Sequence, residues 1–196
     1  MARDRTTSLA NTTVLLIRHA ENADFGTGLS PAGQARAEAY VGYFRNFKPR
    51  GEGGGDPFRF DHLFAAADSA ESERPSLTLA PLVAATGLAV DTDFKDKEFE
   101  ALARHLRDHP LFAGSNILNC WHHEKILKLA GALGVDATTL PASSAWPGRW
   151  PDEVFGWLLQ IGYDADGRVT PDRTCCVNER LAEDDLRDPP GDSPPP

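Results

Sequence analysis

The chain has 196 residues, enough for one domain with a sizeable core. Its net charge of −9 argues against binding to nucleic acid or to an anionic membrane, since both need a basic surface, but a few focused cations could still hold a small phosphate group. Three cysteines without disulfide-framework spacing, and an apolar run of only residues 14–17 near the start, lead us to expect a cytoplasmic protein with no membrane span.

Strand-like and helix-like segments alternate along the chain. A pattern of this kind predicts an α/β fold in three layers, with helices on both faces of a mainly parallel sheet. Ligands of such sheets bind outside the carboxyl ends of the strands, so the residues that follow each strand are the candidate site. The predicted segments are strands at 13–17, 62–67 and 117–121, helices at 31–47, 72–85, 99–106 and 124–133, and a hairpin of 157–163 with 173–177.

The two ends of the chain have compositions unlike the segments between them. Residues 1–12 are polar, and residues 179–196 are acidic and rich in proline. Neither end carries enough apolar surface to order itself, so we predict disorder at both. The folded domain is therefore predicted to span residues 13–178, with a flexible glycine-rich stretch at 49–57 inside it.

The first predicted strand is followed by Arg18 and His19. A neutral imidazole can attack phosphorus and carry the phosphoryl group covalently, which splits one difficult displacement into two steps. An adjacent guanidinium supplies permanently charged, planar donors for phosphate oxygens. The pair therefore indicates a phosphate site, while the alternative is that both side chains merely begin an exposed loop.

Two further groups follow later strands. Arg74 comes after the strand at 62–67, in a loop whose acids also suit an ordinary surface ion pair. His122, His123 and Glu124 follow the strand at 117–121. A zinc-protease helix has the pattern His, Glu, two residues, then His, and would need a second histidine at position 127, which is Leu127, so we predict no metal site here.

These motifs together resemble the histidine phosphatase superfamily. Residues 15–21 (Leu-Leu-Ile-Arg-His-Ala-Glu) and 29–37 (Leu-Ser-Pro-Ala-Gly-Gln-Ala-Arg-Ala) are similar to its opening, although Ala20 stands where the family has glycine. The spacing of Ser69, Arg74 and Thr78 also matches, with Pro75 for the usual alanine. The nearer branch contains phosphoglycerate mutases and small phosphatases, so the resemblance implies a phosphoglycerate mutase-like fold.

The resemblance also implies roles for the residues at the strand ends. His19 becomes the nucleophile, and Arg18, Arg74 and a second histidine bind the phosphate. Strand length favours His122 as that histidine, whereas a "Cys-Trp, any residue, His" pattern in some relatives favours His123, which we prefer.

The general acid is implied less directly. One branch takes it from a glutamate in the stretch that corresponds to residues 91–100, but this chain lacks the glycines of that motif. Another branch uses an acid just after the second histidine, which points to Glu124. Glu21 and Asp68 are further candidates because of their proximity to the phosphate loop.

The function expected from this resemblance is hydrolysis of phosphomonoesters through a phosphohistidine on His19, with no metal and no organic cofactor. The substrate is expected to be a small phosphorylated metabolite or a phosphoprotein, and the sequence specifies neither it nor the oligomeric state. One alternative is a catalytically silent relative that binds a phosphorylated ligand or a protein. A phosphoglycerate mutase is less favoured, because the glutamate segment is missing.

Overall fold

The computed structural model describes residues 8–51, 57–183 and 185–190, and within them six strands form one sheet. Their order across the sheet is β3-β2-β4-β1-β5-β6. The first four strands in that order run parallel, whereas β5 is antiparallel to β1 and forms a hairpin with β6. The strands are β1 (Thr13–Arg18), β2 (His62–Ala65), β3 (Val90–Asp91), β4 (Asn116–Trp121), β5 (Trp157–Gly162) and β6 (Cys175–Asn178).

Four α-helices connect these strands: α1 (Pro31–Arg45), α2 (Arg74–Thr86), α3 (Phe99–Asp108) and α4 (His123–Ala132). Helix α1 begins where predicted, because the Ser30 hydroxyl accepts a hydrogen bond from the Gly33 amide at 3.0 Å and Pro31 occupies the first turn. Helix α2 ends at Gly87, whose φ of 73° is accessible to glycine at little cost.

The helices cover both faces of the sheet. Alternate side chains of β1 point to opposite faces, so this central strand contributes to two hydrophobic clusters. On one face Leu15 and Ile17 pack with residues of α1 and α2, and on the other Val14 and Leu16 pack with α3 and α4. The helix residues of these clusters are Tyr40, Phe44, Leu79 and Leu82 on the first face and Leu102, Leu106, Ile126 and Leu129 on the second. The predicted three-layer α/β fold with a mainly parallel sheet is confirmed.

The sequence missed β3, which has only two residues and lies at the edge of the sheet. A strand this short leaves too few positions for an alternating pattern to be recognised. Its position matters for function, because the chain leaves β3 along the carboxyl edge of the sheet and enters a short 3-10 helix at Asp96–Glu98.

The chain ends differ from the expected disorder where the structure describes them. Leu9 is buried in the core, and the Thr12 hydroxyl donates to the Phe112 carbonyl at 2.7 Å. At the other end, Glu179 is buried and accepts a hydrogen bond from Tyr40 at 2.9 Å. Residues 1–7, 52–56, 184 and 191–196 lie outside the described residues, so the predictions of disorder and flexibility there stay predictions. Within the described residues, no helix has the length and apolar character that crossing a membrane requires.

Candidate active site

His19 and His122 leave neighbouring parallel strands side by side. Arg18 and Trp121 are partners in the register of β1 and β4, so the residue after each strand reaches the same edge of the sheet. The His19 amide donates to the Trp121 carbonyl at 3.0 Å, and the two imidazole rings meet edge to face with centroids 4.9 Å apart. Both rings line a pocket of about 740 Å³ at this edge.

The His19 ring is fixed in one tautomer. Its Nδ1 lies 2.8 Å from the backbone carbonyl of Ala20, which can only accept a hydrogen bond. Nδ1 therefore carries the proton, and Nε2 keeps an available lone pair. Burial lowers the pKa of His19 to about 3 against the opposing hydrogen bond to Ala20, and His122, Arg18 and Arg74 lower it further. His19 is thus a neutral imidazole at neutral pH, the form that can act as a nucleophile.

The Arg18 guanidinium is held from two sides. Nη1 donates to the carbonyls of Asp152 and Val154, at 2.6 and 2.9 Å, and Cζ lies 3.7 Å from the centre of the Phe155 ring. Nε is buried and has no hydrogen-bond partner among the described residues. Burial lowers the pKa of Arg18 to about 10, so it remains a cation at neutral pH. The fixed side chain keeps its Nε–H and Nη2 donors for a ligand.

Arg74 supplies a second cation to the same pocket, from the first residue of α2. Its Nε is also buried without a partner in the part of the chain that the structure describes, and burial lowers its pKa. One turn later, the Thr78 hydroxyl donates to the Arg74 carbonyl at 2.7 Å and accepts from the Ala20 amide at 2.9 Å. Thr78 therefore ties the start of α2 to the loop that follows His19.

The two candidate second histidines occupy different surroundings. His122 precedes the first residue of α4 and contacts the His19 ring. His123 begins the helix, and its Nε2 lies 3.3 Å from a carboxylate oxygen of Asp152. Both line the pocket, and burial lowers the pKa of each. The ring beside His19 is that of His122, whereas the sequence pattern favoured His123.

Two of the acids considered from the sequence already have partners. Glu21 accepts from Nε and Nη2 of Arg36 at 2.9 and 2.7 Å, which turns its carboxylate towards α1. Asp68 lines the pocket, but its Oδ1 accepts a hydrogen bond from Ser76 at 2.5 Å. Neither carboxylate is well placed to give a proton to a group bound above His19.

Two other acids line the pocket. Glu124 is exposed, and its Oε2 lies 3.6 Å from the Lys125 ammonium. Asp96 belongs to the 91–100 stretch, and its backbone carbonyl accepts from the Trp121 indole at 3.1 Å. Its Oδ1 is buried with no partner among the described residues, and its charge opposes the lowering of the His122 pKa by burial. Asp96 is therefore the acid with the largest effect on the pKa of His122.

Sequence reasoning missed Asp96 as a specific candidate and missed the segment 152–155. A missing glycine motif hid the first, and the short strand β3 that delivers it has no recognisable pattern. Segment 152–155 contacts Arg18 through two backbone carbonyls and the Phe155 ring. Every residue has a carbonyl, so the sequence does not indicate which carbonyls bind Arg18. Among the described residues, no group of three His, Cys, Asp or Glu side chains converges as a metal site would require.

No protein-family model matches the sequence, and no curated protein matches it. Two solved structures share its architecture at 14% sequence identity. One is assigned as an alpha-ribazole-5'-P phosphatase from Escherichia coli K-12 (TM-score 0.55), and the likeness covers 86% of this chain and 96% of that one. The other is the protein histidine phosphatase SixA complexed with tungstate (TM-score 0.50), with 85% of this chain and 97% of that one covered. The predicted α/β fold is confirmed: this chain shares the architecture of these two phosphatase structures.

Proposed function

We propose that this protein hydrolyses phosphomonoesters through a phosphohistidine formed on His19. One observation carries the proposal: a neutral imidazole with an available Nε2 lines the same pocket as two arginines whose buried Nε atoms have no partner among the described residues. Unpartnered buried guanidinium donors are costly unless a ligand meets them, and a phosphate dianion supplies the matching acceptors. A neighbour with this fold binds tungstate, an oxyanion with the tetrahedral shape of phosphate.

Substrate binding uses the three groups around His19. Arg18 offers Nε and Nη2, because Nη1 is occupied by the carbonyls of Asp152 and Val154. Arg74 offers a second charge, and the two cations offset the two charges of a phosphate monoester. His122 is our choice for the second histidine, because its ring contacts that of His19, whereas the His123 ring nitrogen faces Asp152. Donors fixed before the reaction stabilise the charge that builds on the oxygens in the transition state.

The reaction proceeds in two displacements. His19 Nε2 attacks phosphorus, the ester P–O bond breaks, and a carboxylic acid gives its proton to the departing alcohol oxygen. The same carboxylate then takes a proton from water, whose oxygen attacks phosphorus and breaks the P–N bond. Phosphate leaves, and His19 returns to its neutral state.

Asp96 is our choice for the proton donor. It lines the pocket, one of its oxygens is buried with no partner in the described part of the chain, and its charge raises the pKa of His122 against the effect of burial. Glu124, the choice from the sequence, is more exposed, and its carboxylate is paired with the Lys125 ammonium. The proton donor can be identified by comparing hydrolysis rates of esters with different leaving groups. Loss of the donor should slow an alkyl ester most, because p-nitrophenolate departs readily without a proton and an alkoxide does not.

Hydrolysis of p-nitrophenyl phosphate and of an alkyl phosphate tests the proposal, with and without a chelator. His19→Ala should abolish turnover, whereas His109→Ala, at an exposed histidine outside the pocket lining, should retain it. Rapid quenching should trap an acid-labile, base-stable phosphoryl group on the protein. Asp96→Asn should lose far more rate with the alkyl ester than with the nitrophenyl ester.

A different outcome would favour the silent relative. Wild-type protein that leaves a broad panel of esters intact, yet is stabilised by phosphate in a manner lost in Arg74→Ala, would be a phosphate-binding protein without the chemistry. The two neighbours are described as a protein histidine phosphatase and an alpha-ribazole-5'-P phosphatase, so we propose a phosphorylated metabolite or phosphoprotein as substrate. A cytoplasmic location stays a prediction from composition.

A further inference from the structure

The chain after β6 packs against the segment that holds Arg18. We name residues 179–183 and 185–190 the C-terminal clasp. The Glu179 amide donates to the Gly156 carbonyl at 2.7 Å, and the Trp157 indole donates to the Arg187 carbonyl at 2.7 Å. The Arg187 guanidinium also forms an ion pair with Glu153. The clasp thus contacts segment 152–157 at several points along its length.

The fit at Gly156 is close. A Cβ atom built there would lie 2.4 Å from the Asp185 carboxyl carbon and from one of its oxygens, a separation that real atoms do not adopt. The Asp185 carboxylate therefore rests directly on the backbone of segment 152–157. Any displacement of Asp185 leaves that backbone without its neighbour.

Arg36 holds this carboxylate from inside the fold. It is 3% exposed, and Nη1 and Nη2 each donate to one oxygen of Asp185 at 2.8 Å. The same guanidinium donates to Glu21, two residues after His19. A bidentate arginine fixes the orientation of its partner as well as its distance. Arg36 therefore fixes the clasp and the loop after the nucleophile to one point of α1.

The orientation of the Arg18 guanidinium depends on segment 152–157 through three contacts. Two are the hydrogen bonds from Nη1 to the Asp152 and Val154 carbonyls, and the third is the Phe155 ring beneath the guanidinium. The direction of the remaining donors follows from these contacts, because a guanidinium is planar and rigid. A small shift of the segment would rotate those donors away from a bound phosphate.

We propose that Asp185 is a positioning residue for the phosphate site, acting through Arg36 and segment 152–155 to aim the Arg18 donors. The inference rests on the proposed function, since it assigns the pocket to phosphate. Asp185 does not line the pocket and touches no substrate. Its loss therefore weakens phosphate binding indirectly, and only while Arg18 is present to transmit the change.

The experiment is a double-mutant cycle read by calorimetric titration with inorganic phosphate and with tungstate. Asp185→Asn keeps the size of the side chain but removes one of the two oxygen acceptors that Arg36 uses. We expect about tenfold weaker phosphate binding, because the charged donors of Arg18 would no longer point at the ligand. In an Arg18→Ala background the same substitution should change the dissociation constant by less than about twofold. Asp166→Asn, which breaks an exposed ion pair with Arg168, is the matched control and should bind as wild type.

A second variant covers the case in which Asp185→Asn does not fold. Arg187→Gln removes an exposed ion pair that ties the clasp to Glu153, and we expect about two- to threefold weaker binding, again only with Arg18 present. Additive effects in the cycle, or unchanged affinity in folded Asp185→Asn, would overturn the inference.

The titration also separates this inference from the proposed function. Wild-type protein that binds phosphate but cleaves no ester would overturn the hydrolase proposal, and the cycle would still decide the role of Asp185. Wild-type protein that binds neither phosphate nor tungstate would overturn both.

Discussion

Thr78→Val should lower both the stability of the protein and the proposed activity of His19, because the Thr78 hydroxyl accepts the hydrogen bond of the Ala20 amide. Thr78 and Ala20 are both fully buried, and the bond between them is 2.9 Å long. Valine has nearly the same shape but no acceptor, so the Ala20 N–H would be left without a partner or a route to water. The Arg74 carbonyl, which also contacts the hydroxyl, keeps its ordinary helical partner.

The expected cost follows from that single orphaned donor. A buried amide without a partner costs about 1–3 kcal/mol, and we take about 2 kcal/mol for this site. In a domain of this size, 1 kcal/mol lowers the melting temperature by about 2–4 °C, so Thr78→Val should melt about 4–8 °C below wild type. The peptide that carries the Ala20 carbonyl also fixes Nδ1 of His19. Its movement should lower kcat by at least about tenfold.

Urea unfolding and thermal melts give the stability change, and p-nitrophenyl phosphate gives kcat. Thr86→Val is the matched control, because it also removes a threonine hydroxyl from this helix. Thr86 is exposed, and its hydroxyl donates to the Leu82 carbonyl at 2.8 Å. We expect a change of about 0.5 kcal/mol or less there, since the site is solvated. Thr78→Ser should recover most of the loss. Equal losses in both valine variants, or wild-type stability in Thr78→Val, would refute the assignment.

Gly33→Ala should destabilise the protein by about 1–3 kcal/mol in urea unfolding, because the added Cβ would lie 2.4 Å from the Glu21 carbonyl oxygen. Gly42 lies on the same helix with open space around it, so Gly42→Ala should stabilise the protein by about 0.5–1 kcal/mol. Burial raises the pKa of Glu179 to about 8, so folding takes up a proton between about pH 4.5 and 8 and stability falls as pH rises through that range. Glu179→Gln should remove this dependence, which is at most about 1.4 kcal/mol per pH unit, when unfolding is compared at pH 5 and pH 8. The lowered pKa of His19 has the opposite effect: the folded state resists protonation, so stability is lost as pH falls from about 6.5 towards 3, and His19→Asn should flatten that limb in acid unfolding curves. An unchanged slope in either variant would contradict the assigned pKa.

Local patterns were enough to predict most of the fold. Residues 13–17 are β-branched residues or leucines, as suits a strand such as β1 that is covered on both faces. Ser30 with Pro31 marks a helix start, because the Ser30 side chain bonds an amide within the first turn. These signals depend only on residues close together in the sequence, so they can be recognised without knowing the tertiary structure. β3 escaped because two residues carry no period, and it is the element that brings Asp96 to the pocket.

The sequence by itself predicted which residues after the strands form the candidate site, and they line one pocket: Arg18 with His19, Arg74, and the pair His122 and His123. Only the tertiary structure decided which histidine ring meets His19, because adjacent residues on a strand-to-helix turn project in different directions. It alone gave Asp185 and the carbonyls of segment 152–155 their contacts with Arg36 and Arg18, across more than a hundred positions of sequence. Backbone carbonyls and buried ion pairs act through position in space, and residue type in a linear pattern does not specify that position.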